Sequence, residues 1–315
     1  MTDKPFIPWI GHGAASLAQP AVFSDAKGWV FLIDADRKAI QTLADTLLNP
    51  AGKGVVKYDA LLPVAMLSFL DIKKSTSVTD TLGWLPGREC AIWVPLIEHR
   101  PGSLFGARLV FWSPYIFINY AIGMITGRDV WGWPKSLARI SVPGDTQGNP
   151  EFFCTTTIFR RFDPARQGED AMLYRVVQTQ PAPEPPPLWR TKAEVTAGLA
   201  RNLLGGVTSD LLHALQWQPA IPCVQLKQLR SAADPTKACF QAIVESPVAL
   251  TNLTGGGLLT GQYSVEVTTC DSHRIVSDLL GRAPNASKTT LPVRIGAWVS
   301  GDFTALRGRD IVVNT

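Results

Sequence analysis

Histidine and cysteine are scarce in this chain, and neither is grouped. The four histidines, His12, His99, His213 and His273, are separated too widely to suggest a metal site or a catalytic triad. No metal and no cofactor is expected. The five cysteines, Cys90, Cys154, Cys223, Cys239 and Cys270, include no Cys-x-x-Cys pair, and their odd number does not suggest a disulfide framework. A reducing, cytoplasmic setting is the simpler expectation. Cys154 and Cys239 fall in strand-like runs and are expected as small buried hydrophobes. A dominant charge is missing too. Lysine and arginine total 30 against 26 acids, for a net charge of +4. The longest basic runs are Lys73-Lys74 and Arg160-Arg161, which excludes a nucleic-acid footprint. Met1 to Pro8 carries an acid and a proline rather than a basic region and an apolar core, so no signal peptide is expected. Gly255-Gly256-Gly257 does not fit the Gly-x-Gly-x-x-Gly dinucleotide fingerprint.

What is present is a globular composition, 46% hydrophobic and 18% charged over 315 residues. That length holds one large or two modest domains with a sizeable core. One stretch, Leu109 to Gly127, carries no charge. Ser113-Pro114, Asn119 and Tyr120 interrupt it, and a proline there would break a spanning helix. It reads as a buried strand, bent at Ser113-Pro114, turning into a short buried helix, so no membrane partner is expected. Strand signals cover Gly28 to Ile33, Leu61 to Ile72, Cys90 to Ile97, Phe152 to Phe159, Ala171 to Thr179, Cys223 to Leu229, Cys239 to Val244 and Tyr263 to Thr269. Asp34 is the expected N-cap of a helix from Ala35 to about Leu48, with Ile40, Leu43, Leu47 and Leu48 on one face and Asn49-Pro50 closing it. Further helices are expected over Thr191 to Leu204, Ser209 to Gln216 and Ser272 to Leu280. The last fifty residues read as short strands and turns. Tryptophans outside the segment described next, Trp84 among them, are expected in the core. About ten strands against four helices, without βαβ alternation, predict an α+β protein on an antiparallel, curved or closed sheet.

The most informative segment is Gly127-Arg128-Asp129-Val130-Trp131-Gly132-Trp133-Pro134, followed at once by Lys135. Tryptophan and proline surround one lysine with apolar bulk. With a free pKa near ~10.4, about 0.04% of a lysine is neutral at pH 7. Lowering the value to about 7 makes about half of it neutral and needs about 4.6 kcal/mol of differential stabilisation. Desolvation in an apolar site moves a pKa by about 3–5 pH units, and a nearby cation, here Arg128, adds to it. A neutral lysine attacks a ketone and forms an iminium, an electron sink for a departing CO₂ or proton. A carboxylate must then move protons. Asp129 is adjacent in sequence, and Glu89 and Glu98 flank a neighbouring strand. Arg128-Asp129 fits a structural ion pair equally well, and lysines after Trp-Pro also occur in solvated turns.

Gly127-Arg128-Asp129, a three-residue spacer, Trp133-Pro134-Lys135 and then Leu137 resemble the active-site segment of the acetoacetate decarboxylase family. That family shows Gly-Arg-Glu, a short spacer and aromatic-Pro-Lys-Lys-Leu-Gly. The resemblance covers roughly Gly28 to Leu280, strongly only Gly127 to Leu137. It implies an antiparallel, cone-like β-barrel with peripheral helices, a Schiff base at Lys135 and a homo-oligomer. The departures are specific. The family's second lysine is Ser136. Asp129 replaces a glutamate. The strand that supplies an acid in the family reads Pro63-Val64-Ala65-Met66-Leu67. The family's first-strand arginine has at best Lys27 nearby, and its second glutamate has only Glu89 or Arg88 as loose counterparts. A Ser-His pair in the family's C-terminal helix region is echoed at Ser272-His273.

The catalytic set is therefore expected to be Lys135, Arg128, Asp129 and Glu89, with Trp133, Ser136, Trp131 and Met66 around the substrate. The expected reaction is decarboxylation of a small β-keto acid through an iminium on Lys135. An aldolase-dehydratase acting on pyruvate-like substrates and a non-catalytic barrel binding a small ligand are the alternatives. One domain over residues 1–315 is expected, with an N-terminal extension to about residue 27, a Pro-rich connector at about 181–187 and a C-terminal extension at about 282–315.

Overall fold

Long strands with two apolar faces dominate this protein. The structure, a computed structural model, describes residues 5–8, 11–13, 16–101, 107–144, 151–181, 188–195, 197–198 and 220–314. In chain order the strands are β1 (Ala21–Asp34), β2 (Lys57–Ala60), β3 (Val64–Ser77), β4 (Leu85–His99), β5 (Ala107–Ile118), β6 (Lys135–Leu137), β7 (Arg139–Ser141), β8 (Phe152–Ile158), β9 (Glu169–Gln180), β10 (Leu188–Trp189), β11 (Cys223–Arg230), β12 (Ala238–Glu245), β13 (Val248–Leu258), β14 (Gln262–Thr268), β15 (Lys288–Ala305) and β16 (Arg309–Asn314). The helices are α1 (Arg37–Leu47), α2 (Asn49–Gly52), α3 (Ala121–Thr126), a π-helical turn at Gly127–Trp131, and α4 (Ile275–Leu280). Residues 192–195 are also helical.

The strands form a 16-stranded sheet in the order β16-β12-β11-β5-β4-β3-β1-β15-β14-β9-β8-β7, with β13 on β15, β10 on β13, β2 on β4 and β6 on β5. The protein is mostly β. Its pairings are antiparallel except for β5 with β6 and β5 with β11. The two ends of the path, β16 and β7, do not pair, so hydrogen bonds among the described strands do not close a barrel. Bulges interrupt β1, β3 and β4 and bend the strands that carry them. The bulge between Ile92 and Val94 lies opposite Ser113-Pro114, the bend expected in β5.

Alternation along the central strands separates two packed faces. Ala65, Leu67 and Phe69 of β3 and Cys90, Ile92 and Val94 of β4 join a large cluster that α1 and α4 cover with Ile40, Leu43 and Leu279. The opposite face carries Met66, Ala91, Trp93 and Ile116.

Several expectations are corrected. Asp36, not Asp34, caps α1, accepting from Lys38 N at 2.7 Å and Ala39 N at 2.9 Å, because Asp34 is still paired in β1. Leu47 is exposed, since Ala39 and Ala44 share the buried face with Ile40 and Leu43. Asn49-Pro50 opens α2 rather than ending the helical region, as proline suits a first helical turn. Helix α3 is half-buried. Cys239 and Trp84 are exposed, while all five cysteines are free. The last fifty residues hold one strand of 18 residues, β15, which lies between β1 and β14 in the sheet. Strand β1 begins at Ala21, inside the segment expected as an extension. Residues 182–187 of the Pro-rich run, the helix expected at Ser209 to Gln216 and most of the one expected at Thr191 to Leu204 lie outside the described residues. Strands from both sides of that run interleave in the one sheet.

Gln225 of β11 is fully buried, and neither amide atom has a partner among the described residues. An unpaired buried amide costs about 1–3 kcal/mol. Gln225→Met, of similar volume, is expected to raise the unfolding free energy by about 1–2 kcal/mol in urea titration. A loss of stability would mean that the amide is satisfied by solvent.

Candidate active site

The segment before Lys135 folds as a crossover. A parallel pair such as β5–β6 needs a connection of a dozen or more residues, usually helical. Helix α3 and the π-helical turn supply it. Gly132 ends the turn at φ 75°, with its N–H bonded to Arg128 O at 3.2 Å. A Cβ there would lie 2.7 Å from Lys227 Cα, so both the conformation and the space require glycine. Trp133 N then donates to Gly127 O at 3.0 Å, and Lys135 N to Trp133 O at 2.7 Å. Arg128 Nη1 closes the loop onto Lys135 O at 3.1 Å.

This geometry delivers Lys135 to the second face of the sheet, with Ile116 of β5 as its register partner. The lysine side chain is only 4% exposed, and Nζ stands 2.5 Å from Glu89 Oε2. Glu89 comes from β4, where it faces Ile118 of β5. The ammonium position lies 4.6 Å from the Trp133 ring centre. Trp131 stacks on Trp133 at 4.9 Å and 18°. Both indoles are anchored, Trp131 Nε1 on Leu306 O and Trp133 Nε1 on Ser246 Oγ, each at 2.9 Å. The wall behind the lysine is thus rigid and apolar.

A cavity of about 40 Å³ opens beside Lys135, lined by Trp131, Trp133, Tyr120, Ser75, Leu17 and Lys135 itself. A single water needs about 10–15 Å³, so the space suits a ligand of a few heavy atoms. The segment before β1 covers it. Leu17 N donates to Thr126 Oγ1 at 3.0 Å, Ala18 N to Asp80 Oδ2 at 2.6 Å, and Ser77 Oγ to Ala18 O at 2.7 Å.

The larger concavity, about 1230 Å³, is an open groove between α1 and α4 that does not include Lys135. It contains the Ser272-His273 pair. Ser272 Oγ lies 3.0 Å from His273 Nδ1 and also accepts from Phe159 N at 2.9 Å. Burial holds the His273 imidazole below its usual range. This pair ties α4 to β8. The small cavity has Lys135 in its wall, and that lysine is buried and paired with Glu89, so it is the better candidate.

The same chain trace recurs in solved structures. Acetoacetate decarboxylase from Legionella pneumophila superposes with a TM-score of 0.60 and 14% identity over 99% of this chain and 93% of its own. An acetoacetate decarboxylase-like enzyme from Sphingomonas wittichii gives 0.56 and 14% over 96% of this chain and 95% of its own. The enduracididine biosynthesis enzyme MppR, complexed with pyruvate, gives 0.53 and 15% over 96% of this chain and 94% of its own. The chain has the acetoacetate decarboxylase-like fold. The sequence matches no protein-family model and no curated protein.

Within this acetoacetate decarboxylase-like fold the expected site residues divide into two sets. Lys135, Glu89, Trp131 and Trp133 come together. Met66 lies on the same sheet face, two rungs along, opposite Trp93. Ser136 does not join them. It pairs in register with Phe117, whose ring belongs to the large core on the other face. Strand alternation turns residue 136 away from residue 135, so a neighbour in sequence is not a neighbour of the amine. Arg128 and Asp129 are exposed. Arg128 holds the backbone of Lys135 rather than standing beside Nζ. Glu98 is buried at the far end of β4, bonded to Tyr58, Arg100 and Arg108. Lys27 lies over Trp29 and Trp298. Sequence reasoning missed Tyr120, Ser75 and the covering residues Leu17 and Ala18. Tyr120 carried one signal, a polar group inside an uncharged run. Among the described residues no three His, Cys, Asp or Glu cluster as metal ligands, and no helix is long and apolar enough to cross a membrane.

Gly127 explains the first residue of the motif. A Cβ there would lie 2.6 Å from Lys135 Cδ and 2.8 Å from Cε. The backbone is helical, φ −60°, so alanine is locally welcome and even favoured by roughly 0.5–1 kcal/mol. Gly127→Ala is therefore expected to keep the melting temperature within a few degrees while pushing the lysine stem off Glu89. An ångström of misplacement costs about 100-fold in rate, so any reaction of the Lys135 amine should slow by roughly that factor. An unchanged rate would show that the stem re-seats.

Proposed function

We propose that the protein is a Schiff-base-forming lyase that decarboxylates a small β-keto acid on Lys135. The observation that carries this reading is the enclosed Lys135 Nζ, 2.5 Å from Glu89 Oε2 at the wall of a small cavity. Glu89 takes a proton from Nζ, leaving a neutral amine. Nζ adds to the ketone carbon, the oxygen takes one proton from the nitrogen and one from Glu89, and water leaves to give an iminium. The bond to the carboxylate breaks, its electron pair flows into the iminium, and CO₂ departs from a neutral enamine. Glu89 takes up a proton from solvent and delivers it to the enamine carbon. Water then releases the ketone and restores the lysine.

The cavity lining supports loss of the carboxylate over its retention. Among the described residues that line it, the polar groups besides Lys135 are hydroxyls, including Ser75, Tyr120 and Thr126, and no second cation is present. A retained carboxylate would have no cation besides the Lys135 iminium itself among those lining residues, whereas one expelled as CO₂ leaves a neutral product in an apolar site. MppR's complex with a condensation product of pyruvate and an aldehyde favours a second reading, pyruvate condensation.

Borohydride reduction in the presence of acetoacetate is expected to leave a mass adduct on Lys135, with CO₂ released in its absence. No adduct with acetoacetate, acetone or pyruvate, or an equal adduct in Lys135→Ala, overturns the Schiff-base reading. An adduct with pyruvate and no CO₂ from acetoacetate selects condensation. Ligand-dependent stabilisation that survives Lys135→Ala selects a non-catalytic binder.

A further inference from the structure

We propose that the Tyr120 ring sets the length of the substrate that reaches Lys135, admitting short methyl ketones and excluding longer chains. The inference rests on the Schiff-base reading above and adds to it the residue that selects the substrate.

Tyr120 precedes α3, and its side chain lines the Lys135 cavity with Leu17, Ile122 and Gly123. The ring fills the gap between β4 and α3. A Cβ added at Gly87 would lie 2.1 Å from its Cε1, and one at Gly123 would lie 2.5 Å from its Cζ. Two glycine backbones therefore hold the ring from opposite elements. It has no room to swing aside when a ligand enters. Both glycines are conformationally ordinary positions, and close approach by the tyrosine is the reason that a larger residue does not fit.

The hydroxyl serves as a tether. It donates to Ser75 Oγ at 3.2 Å. Burial raises the phenol above its usual range, and the nearby Glu89 charge adds to this, so the hydroxyl keeps its proton at neutral pH. With the hydroxyl held on Ser75, the ring is the part of the side chain left to meet an entering alkyl chain. With about 40 Å³ available, a chain extended by several methylenes has no space unless the ring is removed. One methylene that a pocket accepts or refuses is worth about 10–200-fold.

The test uses the full-length protein with acetone and 2-heptanone as separate probes, each reduced with cyanoborohydride. In the trapping step Nζ bonds to the ketone carbon, the oxygen leaves as water, and hydride adds to the iminium carbon. The readout is the ratio of initial labelling rates at Lys135. Wild type should label at least about 10-fold faster with acetone. Tyr120→Phe keeps the ring and should keep the ratio within about threefold. Tyr120→Leu should lower the ratio at least about 10-fold, chiefly by faster labelling with 2-heptanone. Tyr120→Met, which keeps more of the volume, should fall between, and it serves if the leucine variant does not fold. Failure of wild type to label with either ketone overturns the Schiff-base reading. Labelling with acetone while the ratio is near one in wild type, or unchanged in both Tyr120→Leu and Tyr120→Met, overturns the gate alone.

Discussion

Under the proposed Schiff-base chemistry, converting Glu89 to glutamine is expected to lower turnover by about 10²–10⁴-fold, and converting Lys135 to methionine to remove it. Glutamine keeps the shape of Glu89 and still accepts a hydrogen bond, but it does not take a proton from Nζ. The first addition then waits on solvent, which the covered cavity admits poorly. Imine formation should slow without vanishing, so borohydride trapping over hours should still mark Lys135 in Glu89→Gln. Lys135→Met retains the apolar stem against Gly127 and Trp133 and has no nucleophile, so no adduct forms at any time. Rates should be compared at equal folded fraction, because removing the anion from a buried ion pair costs about 3–5 kcal/mol if the cation stays charged. A Glu89→Gln enzyme as fast as wild type would remove Glu89 from the mechanism and reopen the search for the base.

Arg108→Ala is expected to lower the unfolding free energy by about 3–5 kcal/mol without altering the trapping chemistry of the folded protein. Arg108, on β5, donates from Nε to Glu98 Oε1 at 2.6 Å and from both terminal nitrogens to Glu245 at 2.9 Å each. Glu98 is 1% exposed and also takes Arg100 Nε at 2.7 Å and the Tyr58 hydroxyl at 3.1 Å. Glu245, on β12, additionally accepts from Arg309 at 2.7 Å. The network ties β4, β5, β12 and β16 together where β11 meets β5 through only two register pairs. Removing Arg108 leaves Arg100, 2.7 Å from Glu98 and 3.5 Å from Glu245, to bridge the two carboxylates through one short contact and one long one.

Acid stability should report the same cluster. Burial alone would raise the Glu245 carboxyl, but Arg108 and Arg309 hold it down at about 2. A group depressed in the folded state contributes stability that is complete above its unfolded value, near 4.5, and is lost as pH falls through about 2. The wild-type unfolding free energy should therefore decline between about pH 4.5 and 2, by on the order of 2 kcal/mol from this group after allowance for solvent screening. In Arg108→Ala the decline should be smaller. Urea titrations at pH 7 and pH 3 measure both effects. A loss under about 1 kcal/mol at pH 7 would mean that the network behaves as surface ion pairs do.

The strands read most easily from sequence were those rich in apolar, aromatic and β-branched residues, β3, β4, β5 and β8, together with the bend in β5 where Ser113-Pro114 breaks the pairing. Strand β13 was invisible because Gly255-Gly256-Gly257 has no side chains to alternate, although its backbone pairs with β15. The continuity of β15 was hidden in the same way by its turn-forming residues. The cap of α1 was misplaced by two residues, since Asp34 and Asp36 are chemically alike and only the end of β1 distinguishes them.

Sequence by itself determined that one lysine sits in an apolar, glycine- and tryptophan-rich segment, because residue size and polarity along eight positions suffice for that. Tertiary structure alone decided what surrounds the amine. Glu89 lies 46 residues from Lys135 along the chain and reaches it because β4, β5 and β6 are adjacent in the sheet. Ser136, next in sequence, turns to the opposite face because side chains alternate along a strand. Tyr120, Ser75 and Leu17 converge from three separate elements. Local composition governs burial, but partnership between charges is set by register across strands, and register is a property of the folded sheet.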